Sequence, residues 1–308
     1  MPDLTALLAR PVGEGYPTEY LTARVRGRRA CLAAGALRTG TETAMPADRA
    51  RRRMRQEFRW AYGQMNREMR AVFAPLFLWF ELGTILTCLR FRRGGDRDGA
   101  NATLSASLLA PAVRQALTGG EGPPEAAAAL GALLTDLDAR LRDLGTLYRD
   151  QGGRMLEQRL ATLFLERMGE LPLHPLVAAF FRALTDVQNL VTLAKQIRWD
   201  LREPRSFIRG GTIAPERLER ARDKGTGAGL TALLASLPGM GPLPADTATP
   251  GPLLLRWLTG RIRALGRDPL GPGPILDYLW RCAVEARNLG LICRFGEAED
   301  ELRGELIR

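Results

Sequence analysis

The chain of 308 residues is 45% apolar and 25% charged, which is the composition of a folded globular protein and excludes a disordered one. Its 44 Lys and Arg residues outnumber its 34 Asp and Glu residues. The resulting charge of +10 favours an anionic partner: nucleic acid, a phospholipid surface or an acidic protein. The cysteines have no metal-ligand spacing, so we expect reduced thiols and a cytoplasmic compartment. They are Cys31, Cys88, Cys282 and Cys293. The N-terminal residues predict no signal peptide.

Helical periodicity covers most of the first third of the chain. It predicts helices over residues 17–37, 47–73 and 104–117, with an exposed loop over Phe91–Gly99. The second third repeats this plan, whereas the last third contains the longest glycine- and proline-rich links. No stretch alternates with the two-residue period of a strand. We therefore predict an all-α fold. Further helices are predicted over residues 125–148, 155–168, 253–265 and 275–294. Another is predicted around Asp186, ending before Pro204, and a short charged helix is predicted to end at Arg308.

The segment Ala71–Leu89 is apolar enough to raise the question of a membrane span, since it is nineteen residues long and carries a single charge. That charge, Glu81, falls in the middle of the segment, where an ionised side chain is costly in a bilayer. Pro75 also interrupts the segment. We therefore interpret it as a buried core helix.

One helical motif occurs three times. An acidic residue is followed three positions later by an amide or hydroxyl side chain, and nine positions later by a basic residue. Because the copies lie about a hundred residues apart, they predict three similar helical domains, residues 1–118, 119–212 and 213–308. The copies are Glu81, Thr84 and Arg90; Asp186, Asn189 and Lys195; and Glu285, Asn288 and Arg294.

The motif has a structural and a functional interpretation. In the first, the amide bonds a neighbouring backbone or side chain, and the acid pairs with a nearby Arg or Lys. In the second, Arg90, Lys195 and Arg294 lie on a surface that contacts a partner. The arginine blocks at residues 24–29 and 49–55 are solvated helix faces or, alternatively, part of a nucleic-acid-binding surface.

Nothing in the sequence indicates catalysis. The single histidine, His174, lies between two prolines with no nucleophile or orienting acid nearby. No phosphate-binding loop, dinucleotide-binding fingerprint or zinc-protease motif is present. We therefore predict no enzyme activity, no cofactor and no metal site.

Four segments in order resemble the V/A-type ATPase central-stalk subunit, called C in prokaryotes and d in eukaryotes. Residues 16–26, YPTEYLTARVR, resemble its opening tyrosine and A-R-V-R motif. Residues 155–160, MLEQRL, resemble one of its helices, and residues 186–213 are similar to its D-I-x-N-L segment with a following G-G pair. Residues 285–289, EARNL, resemble its closing motif.

This resemblance implies a funnel of three similar helical domains in pseudo-threefold arrangement. Its wide end would sit on the cytoplasmic face of the membrane proteolipid ring, and its hollow would receive the rotary shaft. The expected role is to pass torque for ion transport or ATP synthesis, and the alternatives are a basic nucleic-acid-binding module or an amphipathic membrane-surface protein. The expected partner-interface residues are Arg24, Arg26, Arg90, Lys195 and Arg294.

Overall fold

The structure is a computed structural model that describes residues 2–35, 47–200, 206–225, 227–243, 249–295 and 306–307. Of residues 30–35, 47–49, 294 and 295 it describes the backbone alone. The side chains of Cys31 and Arg294 and the predicted tail helix therefore lie outside the described part, apart from residues 306 and 307, which are not helical. Cys88, Cys282 and Cys293 are free thiols.

The predicted all-α fold is confirmed, since about three quarters of the chain is helical (75%) and the described residues form twelve α-helices and no strand. Two isolated β-bridges join Leu8 to Leu109 and Tyr16 to Met65. The helices are α1 (Thr18–Gly35), α2 (Ala47–Gln64), α3 (Arg67–Arg93), α4 (Arg97–Ser105), α5 (Pro111–Thr118), α6 (Pro123–Leu134), α7 (Leu144–Glu170), α8 (Pro175–Trp199), α9 (Pro215–Asp223), α10 (Gly227–Ala235), α11 (Gly251–Leu265) and α12 (Gly273–Phe295).

The predicted helix over residues 47–73 is wrong, because the chain breaks between α2 and α3. Asn66 is the N-cap of α3, and its Oδ1 accepts the Met69 N–H at 2.9 Å. The break also receives the N-terminal segment, where the Tyr16 N–H donates to the Gln64 carbonyl at 2.8 Å. Gly15 has a φ of 81°, and a Cβ there would overlap the Met65 carbonyl, so this close approach requires glycine.

Three other predicted boundaries are wrong for similar local reasons. The predicted loop at residues 91–99 is largely helical, because Asp96 caps α4 by accepting the Gly99 N–H at 2.7 Å. The predicted helix at residues 104–117 is interrupted between α4 and α5, and the one at residues 125–148 between α6 and α7. Helical periodicity continues across such breaks, so the apolar pattern does not reveal them.

The first compact unit comprises residues 1–21 and 55–177. In it, α3 packs against α4, α6 and α7, and α6 lies close to α7. Glycines permit this close packing, since a Cβ at Gly131 would lie 2.6 Å from the Leu141 carbonyl oxygen and one at Gly145 would lie 2.6 Å from the Ala128 Cβ. The aromatic rings of Phe58 and Phe77 meet edge to face inside the unit.

Among the described helices, α3 and α8 are long and apolar enough to cross a membrane by length and composition. Their most apolar stretches are 67% and 61% buried inside the protein. This burial supports the interpretation of Ala71–Leu89 as a core helix, because its apolar side chains already have protein partners.

The second compact unit comprises residues 22–54 and 178–308. Its core includes Phe180 and Trp280, whose rings meet edge to face with centroids 5.8 Å apart. The Trp280 indole N–H donates to the Thr259 hydroxyl at 3.0 Å, and that hydroxyl donates to the Leu255 carbonyl at 2.8 Å. These bonds join α11 to α12 and satisfy polar atoms that the packing buries.

Two glycine substitutions test the close packing of α6. We expect Gly131→Ala to lower the free energy of unfolding by about 1–3 kcal/mol, because the new methyl group would overlap the Leu141 and Arg142 carbonyls. Gly83→Ala on α3 is the control, since Gly83 is exposed and nothing lies within 4 Å of its Cβ position. This control should raise stability by about 0.5–1 kcal/mol. Urea unfolding measures both, and equal effects of the two substitutions would contradict the close packing.

Candidate functional site

The second copy of the repeated motif holds α8 to the segment that follows it. Asp186 is fully buried (0% exposed), and its carboxylate accepts the Ile213 N–H at 3.0 Å and the Thr212 hydroxyl. The Asn189 amide accepts the Ile208 N–H and donates to the Ile208 carbonyl, both at 2.8 Å. Residues 206–208 have no regular structure, so side chains must satisfy backbone groups that no helix or strand pairs.

The two glycines of this segment are part of the same arrangement. Gly210 has a φ of 95°, a conformation that residues with a Cβ rarely adopt. A Cβ at Gly211 would overlap the Asp186 carboxylate. The glycine pair therefore lets the backbone approach the buried carboxylate closely.

The first copy makes the same contact from its acidic position. Glu81 is buried on α3, and its Oε1 accepts the Leu108 N–H at 2.7 Å. Leu108 lies 27 positions after the acid, which is also the separation of Ile213 from Asp186. In both copies the segment then leads into a helix whose first residue is proline, Pro111 in α5 and Pro215 in α9.

The third copy makes the contact of the amide. On α12, the Asn288 amide donates to the Ile307 carbonyl at 2.8 Å and accepts the Ile307 N–H at 3.2 Å. The separation is 19 positions, the same as that between Asn189 and Ile208. The motif thus makes two contacts: the acid bonds the residue 27 positions further on, and the amide bonds the residue 19 positions further on. We call these two contacts the helix clasp. Each contact is present in two of the three copies.

The structural interpretation of the motif describes the amide correctly but not the acid of the first two copies. Glu81 and Asp186 bond backbone N–H groups rather than an Arg or Lys, because each lies against the N–H of a residue outside a helix, Leu108 and Ile213. Glu285 of the third copy does lie near an arginine, with its Oε1 3.8 Å from Nη1 of Arg53. Thr84, which replaces the amide in the first copy, is buried beside Glu81.

The predicted interface residues take no part in the bonds of the clasp. Arg24, Arg26 and Lys195 are exposed and belong to the second unit. Arg90 belongs to the first unit, and its Nε and Nη2 donate to the two carboxylate oxygens of Glu157, each at 2.7 Å. These four residues are thus divided between the two units.

Comparison with known proteins adds the observation that decides the family. The family model described as ATP synthase (C/AC39) subunit matches residues 29–299. The chain belongs to this family. Among curated proteins, no match to the chain is found. The family consists of structural, non-catalytic subunits of rotary ATPases, so the chain is a stalk subunit with a place in such a complex.

His174 of this stalk subunit is bonded locally. The side chain is exposed in the turn between α7 and α8, and its Nδ1 accepts the Leu176 N–H at 3.2 Å at the start of α8. Among the residues that the structure describes, no group of His, Cys, Asp and Glu could hold a metal ion.

Sequence reasoning missed two buried charged residues of the subunit. Arg92 is 8% exposed, and its guanidinium donates to the carbonyls of Leu117, Gly119 and Gly120, where α5 ends. Asp277 is 1% exposed, and its Oδ2 accepts Arg29 Nη1 at 3.0 Å and Arg281 Nε at 2.9 Å. Of these contacts, the sequence indicates only the one between Asp277 and Arg281, which lie four positions apart on a predicted helix.

Burial determines the acid–base behaviour of the clasp carboxylates. Burial raises the pKa of Glu81, whereas the Leu108 N–H and the Thr84 hydroxyl act in the opposite direction. Burial likewise raises the pKa of Asp186, against the opposing effect of the Thr212 hydroxyl and the Ile213 N–H. The Oε2 atom of Glu81 is buried without a hydrogen-bond partner among the described residues, which leaves its charge poorly compensated.

The pH dependence of stability tests Glu81. Since its pKa is higher in the folded state than its ordinary 4.5, its contribution to stability is fully present below that value and is lost as the pH rises through the folded pKa. Glu81→Gln keeps an acceptor for the Leu108 N–H but removes the charge. We therefore expect its advantage in unfolding free energy over the wild type to be larger at pH 8 than at pH 5.

The matched variant Glu81→Leu removes the acceptor as well. It should lower stability by about 1–3 kcal/mol at pH 5, because the Leu108 N–H would be buried without a partner. Urea unfolding at the two pH values measures all three proteins. A constant difference between Glu81→Gln and the wild type would show that the carboxylate does not titrate in this range.

The amide contacts predict a second pair of effects. Asn189→Ala and Asn288→Ala should each lower the free energy of unfolding by about 1–3 kcal/mol, because each removes both side-chain bonds to a downstream residue. Gln188→Ala, one position before Asn189 and outside the clasp, should change it by less than about 0.5 kcal/mol. Amide hydrogen exchange at Ile208 should also become faster in Asn189→Ala. Equal effects at positions 188 and 189 would contradict the role of the clasp.

Proposed function

We propose that this stalk subunit couples the rotary shaft of a V/A-type ATPase to the proteolipid ring in the membrane, for ion transport or ATP synthesis. It would lie at the cytoplasmic face of the membrane, peripheral to the bilayer, and contact the membrane through the ring. The family membership and the all-α fold support this proposal. The subunit needs no small-molecule substrate, cofactor or metal for a mechanical role.

The observation that carries the proposal is the helix clasp. A part that passes torque must resist deformation, and closely packed helices with satisfied buried polar groups deform little. The clasp adds this resistance at non-helical residues that follow a helix, where no helical hydrogen bond holds the backbone. Glu81, Asp186, Asn189 and Asn288 each bond the backbone of such a segment.

We also propose that the chain consists of three equivalent helical domains, residues 1–118, 119–212 and 213–308, arranged as a funnel. The shared separations of 27 and 19 positions support this equivalence, because unrelated helices would not bond segments at matching distances along the chain. The amide contact that the first copy lacks matches a sequence difference, since Thr84 cannot reproduce the two bonds that Asn189 makes to Ile208. Superposition of the three domains in an experimental structure of the subunit would test this point.

The proposed contact surface for the shaft and ring includes Arg24, Arg26, Arg90, Lys195 and Arg294. Arg24, Arg26 and Lys195 support it best, because their exposed charges are accessible to acidic groups of a partner. Arg90 would keep its two bonds to Glu157 and use its remaining guanidinium N–H groups to bond the partner. Opposite charges on the partner would accelerate association and fix the orientation of the subunit.

Charge reversal tests the proposed surface. We expect Arg24→Glu with Arg26→Glu, and separately Lys195→Glu, to weaken binding to shaft or ring subunits by at least about tenfold, which corresponds to about 1.4 kcal/mol. The control reverses Arg97 and Arg142, two other exposed arginines, and should bind as the wild type does. Pull-down with purified shaft and ring subunits measures binding, and circular dichroism checks the fold.

Two outcomes would count against the proposed function. Unchanged binding in every reversal variant would remove these residues from the interface, and no binding of the wild type would remove the coupling role. A salt-dependent mobility shift with generic nucleic acid at about 0.15 M salt would instead favour the nucleic-acid-binding alternative.

A further inference from the structure

The first unit contains an open cavity of about 190 Å³ between α3 and α7. Its apolar lining includes Leu89 and Leu156, both buried. The polar lining brings together three arginines, one glutamate and one tyrosine. They are Arg90, Arg93, Arg154, Glu157 and Tyr148.

The charges around this cavity do not balance. The bidentate bond between Arg90 and Glu157 neutralises one arginine. Arg93 and Arg154 have neither an ion pair nor a hydrogen bond with any residue that the structure describes. Two positive charges therefore share one concave site, and their mutual repulsion decreases when an anion binds between them.

A break in α7 shapes the cavity. Gly152 has non-helical backbone angles, φ 76° and ψ 176°, so α7 consists of two helical segments that meet there. Tyr148 lies on the first segment, and Arg154 and Glu157 lie on the second. A Cβ at Gly153 would lie 3.3 Å from the Tyr148 ring, so glycine at this position lets the ring lie against the backbone. The Tyr148 hydroxyl has no hydrogen-bond partner among the described residues and is a further donor at the cavity.

We propose that this cavity binds a phosphate group. A phosphate monoester or inorganic phosphate carries about 1.5 to 2 negative charges near neutral pH, which matches the two uncompensated arginines. A carboxylate would leave one of them unpaired. Guanidinium groups also donate in parallel pairs to phosphate oxygens, and the tyrosine hydroxyl suits a third oxygen. The ligand is either a free phosphate or the phosphate headgroup of a lipid, since both present the same oxygens.

The test is phosphate binding by the purified full chain. Isothermal titration calorimetry with sodium phosphate at pH 7.5, with sodium chloride adjusted to constant ionic strength, should show saturable binding. Arg93→Gln with Arg154→Gln should raise the Kd at least about tenfold, since both charge-assisted contacts are lost. Tyr148→Phe should raise it by a smaller factor, about threefold, through the loss of one neutral donor.

The control removes the same charge elsewhere. Arg97→Gln with Arg149→Gln changes two exposed arginines outside the cavity lining and should leave the Kd within about twofold of the wild type. Circular dichroism should be unchanged in every variant, because the substituted arginines are exposed. Absence of saturable binding by the wild type, or equal losses in the cavity and control variants, would overturn the proposal.

A second arm identifies the source of the phosphate. Co-sedimentation with vesicles of neutral lipid containing phosphatidic acid, lost in Arg93→Gln with Arg154→Gln and kept in the control, would assign a lipid headgroup. Binding of free phosphate without vesicle binding would assign a soluble phosphate. Both results support the site, and neither depends on binding to the shaft or ring, so this proposal and the proposed function fail separately.

Discussion

A polar side chain on the apolar face of a buried helix needs a hydrogen-bond partner, and this requirement organises the repeated motif. The acid and amide positions obtain their partners from the backbone of the irregular segments that follow their helices. The backbone has the complementary need, because the N–H groups of Leu108, Ile208 and Ile213 lie outside helices and strands. Each element therefore satisfies the other, through the acid in the first copy, through the acid and the amide in the second, and through the amide in the third.

Arginine serves different purposes at different depths of this subunit. Arg92 is buried, and its guanidinium donates to the carbonyls at the end of α5, which have no partner within the helix. Arg29 and Arg281 compensate the buried charge of Asp277. Arg93 and Arg154, in contrast, are exposed and line the cavity for which we propose phosphate binding. Part of the high net charge of the chain is thus used inside the structure, and composition alone cannot separate that part from the exposed charge.

Membership of the ATP synthase (C/AC39) subunit family agrees with a structural rather than a catalytic role. The two buried carboxylates illustrate this point. A raised carboxyl pKa often marks an acid–base catalyst, yet Glu81 and Asp186 are buried and bonded to backbone N–H groups. The pKa of each carboxyl is raised because the side chain is buried where it bonds the backbone of a following segment.

Helical periodicity and residue spacing are local properties of the chain, so the all-α class, helices such as α11 and α12 and the repeated motif could be predicted from the sequence. The ends of α2, α4 and α6 could not, since the apolar pattern runs across the residues where a helix stops. The groups that the motif bonds depend on the tertiary structure, because Leu108 and Ile213 lie far along the chain from their partners. Every residue except proline has a backbone N–H, so no residue pattern indicates that Glu81 and Asp186 bond the N–H groups of Leu108 and Ile213.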